Sequence, residues 1–266
     1  MTHVTGPDNR VKISVITVCR NDLPGLAETW QSICLQDSVA FEWWVIDGNS
    51  NDGTVAWLTA THRFQGGWKS APDNGIYDAM NKGIDSATGD YLLFMNSGDR
   101  FAGADTLALL IQAIEGAPTP PDFIYGDALD CDEQGKQYYR KASGVSKIRF
   151  GMITRHQAML YRKICVAGEP YSSRFPLSAD YALTASFLMQ EGVKILRVDF
   201  PVCRFTMGGV HTVQRLKALR EDFRIRKEIL KESRLRCLVL FGIHWLHYHF
   251  RRLLPGLNRR LIYRKT

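Results

Sequence analysis

Oxygen-bearing side chains follow the apolar segments of this chain at regular intervals. They are the carboxylates and amides of Asp47, Asn49, Asp52, Asp73, Asn81, Asn96 and Asp99. Carboxylates gathered at one edge repel one another unless a cation or a donor-rich ligand lies between them. Mg²⁺ and Mn²⁺ prefer oxygen ligands and can bridge phosphates, and ribose hydroxyls or a base N–H would satisfy the remaining carboxylates. The pattern therefore predicts a site for a nucleotide and a divalent cation.

The segments that must position these groups alternate between strand and helix. Strands are predicted for VKISVITVCRN, FEWWVIDG, GWKS and DYLLFM. Helices are predicted for LPGLAETWQSICLQ, TVAWLTATH and IYDAMNKGIDSA, whose apolar residues have helical spacing. This alternation predicts right-handed βαβ units and a largely parallel sheet. Open sheets of this kind bind ligands beyond the carboxyl ends of their strands, where the acidic and amide residues fall.

The second half of the chain is less regular. DFIYGDALD, HQAMLYRK and VKILRVDFPVCRF predict strands, and SADYALTASFLMQEG predicts a helix that ends at Gly192. From residue 213 to residue 231 the pattern is helical and heavily charged. We expect one α/β domain over residues 1–212 and a basic helical extension over residues 213–266.

Composition narrows the class of protein. A chain of 266 residues with 45% hydrophobic content can bury one large core. Its six cysteines form no CxxC pair, which favours free thiols in a reducing compartment over a disulfide framework or a zinc site. The segment MTHVTGPDNR lacks the apolar core of a secretion signal. We expect a cytoplasmic protein, and no oligomeric state is predicted.

The net charge of +7 is concentrated at one end. Eight of the 34 basic residues follow Glu232, the last acidic residue, and the rest of the chain is close to neutral. A nucleic-acid-binding domain more often carries its charge on a folded face, so we expect no nucleic-acid partner.

The last predicted helix, RLRCLVLFGIHWLHYHFRRLL, begins after Ser233 and stops before Pro255. Its apolar part is too short to span a bilayer, which takes about 20 residues. The flanking arginines instead predict a helix that lies on an anionic membrane surface, although they could also form a solvated face. Because its three histidines do not share one helix face, a structural or membrane-surface role is favoured over a metal site for them.

Several ordered motifs carry a resemblance to a known family. There is no GxGxxG after the first strand and no GxxxxGK[ST], so neither a Rossmann dinucleotide site nor a P-loop is supported. SVITVCRND, VIDGNSNDGT and PDNGIYDAMNKGIDSATGDYLLFMNSGD together resemble family 2 glycosyltransferases of the GT-A fold. The sequence is most similar to bacterial exopolysaccharide and O-antigen enzymes such as the colanic acid glycosyltransferases, strongly over residues 11–127 and more weakly over residues 150–210. The resemblance implies a mostly parallel central sheet flanked by helices.

The resemblance implies a nucleotide-sugar site at the strand ends. Thr17 would lie near the nucleotide base, Asp47 would contact the base or ribose, and Asp73 the base. Asn81 and Asn96 would complete the nucleotide-sugar contacts, although Asn81 could equally belong to a polar helix face.

A metal ligand is implied at the end of MNSGD. Asp99 matches the carboxylate that holds Mn²⁺ or Mg²⁺ on the nucleotide diphosphate in the family. Asn96 and Gly98 replace residues that are often acidic there. The diphosphate and water would therefore hold the metal as much as the protein does.

The catalytic and acceptor residues are implied further along the chain. Asp180 in LSADYAL matches the catalytic base of inverting members, and His156 and Gln157 match a segment that lines the sugar or acceptor site. Asp127 in YGD is a second candidate near the acceptor. His156 could instead be a buried core histidine.

The carboxylates also have structural interpretations. Asp47, Asp52 and Asp73 are ordinary turn formers, and Asp99 or Asp180 could cap a helix. The sequence leaves these alternatives open beside the functional ones.

The resemblance and the basic tail together lead to one expected function. We expect an inverting hexosyltransferase that moves a sugar from a UDP- or GDP-sugar to a lipid-linked saccharide. It would act in bacterial exopolysaccharide or lipopolysaccharide synthesis, as a peripheral protein on the inner face of the cell membrane. The rivals are a non-catalytic nucleotide-sugar-binding scaffold and a nucleotidyltransferase, although CRNDLPGL lacks the glycine-rich basic loop of the latter.

Overall fold

A nine-stranded sheet forms the centre of the fold. The computed structural model describes residues 11–37, 40–61, 65–132, 134–166, 168, 170–206 and 214–253. The strands are β1 (Ile13–Cys19), β2 (Phe41–Asp47), β3 (Gly66–Ser70), β4 (Tyr91–Phe94), β5 (Arg100–Phe101), β6 (Phe123–Cys131), β7 (Gln137–Arg140), β8 (Met159–Arg162) and β9 (Ile195–Thr206). The α-helices are α1 (Leu23–Cys34), α2 (Thr54–Thr61), α3 (Ile76–Ser86), α4 (Thr106–Glu115), α5 (Ala179–Leu188), α6 (Arg215–Glu228) and α7 (Arg234–Leu253). Short 3₁₀-helices cover Val145–Phe150, His156–Ala158 and Lys163–Cys165.

The first half of the sheet is parallel, with the order β3-β2-β1-β4. Strands β1 and β4 are buried along their whole length, as expected for parallel strands covered on both faces. The chain moves outward from β1 to β2 on one side and returns to β4 on the other. The order of strands therefore reverses between β1 and β4, which opens a crevice beyond their carboxyl ends.

The second half of the sheet is mixed. Strand β8 runs antiparallel to both β4 and β6, whereas β9 runs parallel to β6. Strand β7 is antiparallel to β6, and β5 is antiparallel to β9. The predicted α/β sheet with flanking helices is thus confirmed, with antiparallel strands added beyond β4. All six cysteines are free thiols, as predicted.

Two hydrophobic clusters form the core. One contains Ile13, Trp43 and Leu110, and the other contains Phe94 and Phe187. The second cluster also includes Ile225 of α6 and Leu230, just after that helix. The division at residue 213 stays a prediction, but this shared core argues that α6 packs as part of the α/β domain.

Helix α7 has one docked face and one exposed face. Cys237 and Leu240 are buried, and the Phe241 ring packs 6.5 Å from the ring of Phe223 on α6. The opposite face exposes large apolar side chains of Leu235, Leu238, Val239, Ile243, Leu246 and Phe250. None of the helices within the described ranges is long and apolar enough to cross a bilayer.

The buried carboxylate of Glu42 stabilises the start of the parallel sheet. Glu42 in β2 accepts hydrogen bonds from Ser14 Oγ and Thr88 Oγ1, both at 2.6 Å, and from the backbone amides of Thr88 and Gly89. Lys12 Nζ lies 3.1 Å from its Oε2. Burial alone would raise the pKa of Glu42, but the hydrogen bonds from Ser14 and Thr88 lower that pKa from 4.5 to about 2.

Replacing this carboxylate should weaken the fold in a pH-dependent way. Glu42→Gln should lower the free energy of unfolding at pH 7 by about 2–3 kcal/mol, since it removes a charged acceptor from several donors. Because the folded pKa lies below the unfolded one, the stabilisation is present above about pH 4.5 and is lost as the pH falls towards 2. Urea unfolding at pH 7 and pH 3 measures the difference.

The exposed pair of Glu28 and Arg100 provides the control. Glu28→Gln should change the free energy of unfolding by less than about 1 kcal/mol at either pH. Equal losses for the two variants at pH 7 would contradict the role assigned to Glu42.

Candidate active site

The loops that follow β1 and β2 are joined to each other. The backbone N–H of Asn21 donates to Ser50 Oγ at 2.7 Å, and the backbone N–H of Asn51 donates to Asn21 Oδ1 at 2.9 Å. Asn21 and Asn49 both have positive φ, 49° and 61°, a region that asparagine tolerates better than most residues. These bonds hold the rim of the crevice in one shape. Asp52 takes part by accepting from the Leu23 amide at 2.9 Å.

Asp47 lies at the end of β2 with no exposed surface. Its Oδ2 accepts from Ser70 Oγ at 2.6 Å and from the Ser50 amide at 3.1 Å, and its Oδ1 accepts from Ser50 Oγ. The carboxylate therefore joins the ends of β2 and β3. This structural role lies at the same strand end where the nucleotide contact is predicted.

Asp73 lies against the same strand end. A Cβ atom at position 48 would overlap its carboxylate, so the approach requires Gly48. Arg20 Nη1 lies 4.0 Å from Asp73 Oδ1, and the Arg20 side chain is 64% exposed. The structure thus brings Asp47 and Asp73 together and adds a cation that our sequence reasoning missed. Its position directly after β1, beside the other strand-end residues, is the signal that could have identified it.

Asp99 is buried beyond the end of β4. Its Oδ2 accepts a hydrogen bond from Gln157 Nε2 at 2.6 Å, and the Thr206 amide also donates to the carboxylate. Its own carbonyl accepts from Thr29 Oγ1 at 2.8 Å. Burial raises the pKa of Asp99 from 3.8 to about 7, although Gln157 and Thr206 oppose the shift. Two predicted site residues, Asp99 and Gln157, are therefore in direct contact.

The oxygen atoms near Asp99 fit a weakly held hard cation. Asn96 Oδ1 is buried without a hydrogen-bond partner within the described ranges. The described residues contain no group of three His, Cys, Asp or Glu side chains that could hold a metal by themselves. One carboxylate and one unpartnered amide oxygen suit Mg²⁺ or Mn²⁺ whose other ligands are phosphate and water.

A chain of contacts links His156 to Asp180. Nε2 of His156 lies 2.6 Å from the Tyr171 hydroxyl, and its ring stacks on Phe94 with centroids 5.1 Å apart. Tyr171 stacks on Tyr77 at 5.5 Å, and the Tyr77 hydroxyl donates to Asp180 Oδ1 at 2.9 Å. Burial, together with the charge of Asp180, raises the pKa of Tyr77 well above its ordinary value, so it remains a donor. The two tyrosines were absent from our sequence-based set.

Asp180 is the second residue of α5 and is half-buried. Its Oδ1 accepts from Tyr77 and from the Tyr181 amide, the latter at 2.8 Å. Within the part of the chain described, Oδ2 carries no hydrogen bond. One oxygen is thus fixed, whereas the other receives no hydrogen bond from the described residues. The N-cap position belongs to Ser178, so Asp180 does not cap the helix from that position.

Two predicted nucleotide contacts point into the protein instead. Thr17 has no exposed surface, and its hydroxyl donates to the Met95 carbonyl at 2.7 Å and accepts from Trp43 Nε1 at 2.9 Å. Both polar groups of the Asn81 amide are bound to the backbone of Tyr171, at 2.9 and 3.1 Å. The polar atoms of both residues thus hold the fold together, and their place in the nucleotide-sugar site stays a prediction.

Asp127 is likewise committed to the protein interior. It is 2% exposed and accepts from the Tyr139 hydroxyl at 2.5 Å and the Ala142 amide at 2.7 Å. Arg197 Nη2 lies 3.7 Å from the same carboxylate. These contacts give Asp127 a structural role beside β7, and the acceptor role expected for it stays a prediction.

A buried ion-pair network fixes the segment that carries His156 and Gln157. Asp130 has no exposed surface and accepts from Arg155 Nε at 2.7 Å and from Arg140 Nε at 2.8 Å. Burial alone would raise the pKa of Asp130, but the two guanidinium groups lower it to about 2. Arg155 immediately precedes the 3₁₀-helix, so the network sets where Gln157 meets Asp99.

Comparison with known proteins identifies the family. The profile described as "Glycosyl transferase family 2" matches residues 14–174, more than half of the chain. The chain is a family 2 glycosyltransferase. The matched region contains the joined loops, Asp99 and Gln157, and the expected family is confirmed.

Relatives of this glycosyltransferase occur in mycobacteria. It is 36% identical over 219 residues to an uncharacterized glycosyltransferase of Mycobacterium tuberculosis, covering 80% of this chain and 81% of the other. It is 32% identical over 179 residues to a PGL/p-HBAD biosynthesis glycosyltransferase of Mycobacterium bovis, covering 63% of this chain and 66% of the other.

Solved structures share the fold of this glycosyltransferase. Staphylococcus aureus TarS residues 1–349 with UDP-GlcNAc gives a TM-score of 0.61 at 17% identity, covering 90% of this chain and 73% of the other. A Pyrobaculum calidifontis mannosyltransferase with GDP-Man and Mn²⁺ gives 0.63 at 16% identity, covering 92% and 72%. The expected GT-A fold is confirmed by these likenesses.

Neutralising the buried carboxylate should stabilise the metal-free glycosyltransferase. The pKa of Asp99 is higher in the folded than in the unfolded state. Its stabilising contribution to the free energy of unfolding is therefore fully present below about pH 3.8 and is lost as the pH rises through 7. Asp99→Asn should therefore raise the free energy of unfolding at pH 8 by about 2–4 kcal/mol and change it little near pH 4. Thermal unfolding without metal, across this pH range, measures it.

The exposed Asp105 serves as the matched control. Asp105→Asn should leave the pH dependence of unfolding unchanged. A lower stability of Asp99→Asn at pH 8 would contradict the prediction. It would mean that the desolvation cost of this carboxylate is smaller than the stabilisation from its hydrogen bonds.

Proposed function

We propose that this glycosyltransferase transfers a sugar, with inversion, from a UDP- or GDP-sugar to a hydroxyl of a lipid-linked saccharide. The acceptor would belong to bacterial surface polysaccharide or exopolysaccharide synthesis. The observation that carries the proposal is the carboxylate of Asp180, whose Oδ1 is fixed by Tyr77 and the Tyr181 amide and whose Oδ2 receives no hydrogen bond from the described residues.

The donor half of the proposal rests on the joined strand ends. We assign Asp47 and Asp73 to the base or ribose, and Arg20 lies beside Asp73. Gly98 has a φ of 87° and open space at its Cβ position, so its backbone can come close to phosphate. Solved neighbours in complex with UDP-GlcNAc and with GDP-Man and Mn²⁺ support a nucleotide-sugar donor.

The proposed reaction is a single displacement. Asp180 takes the proton from the acceptor hydroxyl while that oxygen bonds to the anomeric carbon. The bond from this carbon to the diphosphate breaks, and its electron pair leaves with the diphosphate. A divalent cation held by Asp99 and Asn96 would supply Lewis-acid stabilisation of that leaving charge. Attack from the face opposite the leaving group inverts the configuration.

The membrane half of the proposal rests on α7. Its exposed face carries large apolar residues, and arginines stand at both ends of the helix. An amphipathic helix of this kind buries its apolar face at the lipid boundary while its cations meet anionic headgroups. We therefore place the enzyme peripherally on the cytoplasmic face of the membrane, where a lipid-linked acceptor would be accessible.

The Asp180→Asn variant distinguishes a catalytic transferase from a non-catalytic scaffold that only binds nucleotide-sugars. The variant keeps an oxygen that can accept from Tyr77 but cannot take a proton, so turnover should fall by about 10²–10⁴-fold while donor binding persists. The donor is first found by thermal-shift screening of UDP- and GDP-sugars with Mn²⁺, since bound ligand stabilises the folded state. Product formation and calorimetric donor affinity are then measured on the same protein.

The control is Asp85→Asn on the exposed side of α3, which should retain full activity. Undiminished turnover in the Asp180 variant would remove Asp180 as the base. If no nucleotide-sugar produced a shift with or without Mn²⁺, the donor assignment would fail.

Polar substitutions on α7 test the membrane contact. Leu238→Gln combined with Leu246→Gln should reduce binding to phosphatidylglycerol vesicles by at least about tenfold, since burying each leucine contributes about 2 kcal/mol. Deleting residues 234–266 should abolish it. Co-sedimentation with vesicles measures the bound fraction.

Ile164→Gln is the matched control, because Ile164 is 82% exposed but lies far along the chain from α7. Its binding should equal that of the unmodified protein. Equal retention by the double variant and the control would reject the membrane surface assigned to α7.

A further inference from the structure

Helix α6 contacts the backbone just before the proposed base. Oε2 of Glu221 accepts hydrogen bonds from the amides of Leu177 and Ser178, each at 2.9 Å. Glu221 is only 8% exposed. Asp180 follows two residues after Ser178, so Glu221 holds the chain at the point where α5 begins.

The same short segment is held from the opposite side. The Tyr77 hydroxyl lies 3.2 Å from the Leu177 carbonyl and 2.9 Å from Asp180 Oδ1. Leu177 is thus bound at its N–H by α6, and its C=O shares the single hydroxyl proton of Tyr77 on α3 with Asp180. The hydroxyl that reaches Asp180 also depends on the backbone position that Glu221 sets.

The N-terminus of α5 is held by two carboxylates of α6. Ser178 stands at the N-cap, but its side chain donates to Asp222 Oδ1 at 3.0 Å and makes no capping hydrogen bond to its own helix. Carboxylates near a helix N-terminus interact favourably with the positive end of the helix. Glu221 and Asp222 therefore bind the backbone and the side chain of the residue at which α5 begins.

Helix α6 is itself firmly anchored. Ile225 has no exposed surface and packs in the core. Arg226 is fully buried, with Nε donating to the Arg149 carbonyl at 2.9 Å and Nη2 to the Phe150 carbonyl at 3.2 Å. The position of Glu221 is therefore determined by the core and not by solvent-exposed contacts.

We propose that Glu221 is a positioning residue for sugar transfer, because its two backbone hydrogen bonds fix where Asp180 meets the acceptor hydroxyl. This inference rests on the proposed function, in which Asp180 is the base. Displacing a reacting group by about 1 Å can cost about 10²-fold in rate. The donor contacts proposed for Asp47 and Asp73 lie on other loops, so donor binding should not depend on Glu221.

The test compares three substitutions at position 221 in the full-length enzyme. Glu221→Ala removes the acceptor and should lower kcat by about tenfold or more, with the donor KM unchanged. Glu221→Gln keeps an oxygen that can accept from both amides, so it should restore kcat. Glu221→Asp withdraws the carboxylate by one methylene and should fall between them while retaining the charge. Circular dichroism and thermal unfolding measure the folded fraction.

Lys227→Ala is the control on the same helix. Lys227 is exposed and carries a charge that makes no contact with the amides of Leu177 and Ser178. Its kcat and donor KM should match those of the unmodified enzyme.

The outcomes separate this inference from the proposed function. Normal kcat in Glu221→Ala and Glu221→Asp, with Asp180→Asn inactive, overturns the role of Glu221 and leaves the base in place. A Gln variant as slow as the Ala variant also overturns it, because the acceptor geometry would then not matter. Should the Ala variant not fold, the Asp and Gln pair decides in the same way. Activity in Asp180→Asn rejects the base itself.

Discussion

A buried hydrogen bond between Gln157 and Asp99 connects the two halves of this molecule. It joins the loop that follows the parallel strand β4 to the 3₁₀-helix that precedes the antiparallel strand β8. Desolvation makes a charged carboxylate at this position costly, and the amide of Gln157 and the backbone of Thr206 offset part of that cost. The strand end, the crevice above it and the segment leading to His156 all keep their relation through this contact.

Local sequence patterns predicted the elements that lie in the parallel half of the sheet. Strands β1 and β2 and helices α1 and α3 have periodic apolar residues, and their order follows from the handedness of βαβ units. Strands β5 and β7 were not predicted, because β5 has only two residues and the QYYR segment of β7 contains no buried apolar run. They exist through pairing with β9 and β6, which no local window contains.

Side-chain direction limited the prediction of the site. The family resemblance implied a ligand contact for Thr17, and Asp127 was a second candidate near the acceptor, yet both side chains face the interior, where Trp43 and Tyr139 bind them. Conversely, Tyr77 contacts a carboxylate 103 residues away in the chain. Such a contact depends on how α3 packs against α5, and the sequence alone contains no spacing that encodes it.

Charge also gave an incomplete description of the region after residue 213. Helix α6 looks like a solvated cationic helix, but Arg226 within it is fully buried. Its guanidinium group is accommodated because the carbonyls of the Val145–Phe150 turn accept from it. The segment thus belongs to the packed body of the enzyme as well as leading to α7.

The contact between α6 and the start of α5 bears on how such enzymes can be recombined. A chimera that imports α5 to change acceptor preference, but keeps the host's own α6, would bring together two helices that need not share the contact between Glu221 and the Ser178 amide. We therefore expect chimeras that exchange both helices together to be more stable than those that exchange α5 alone.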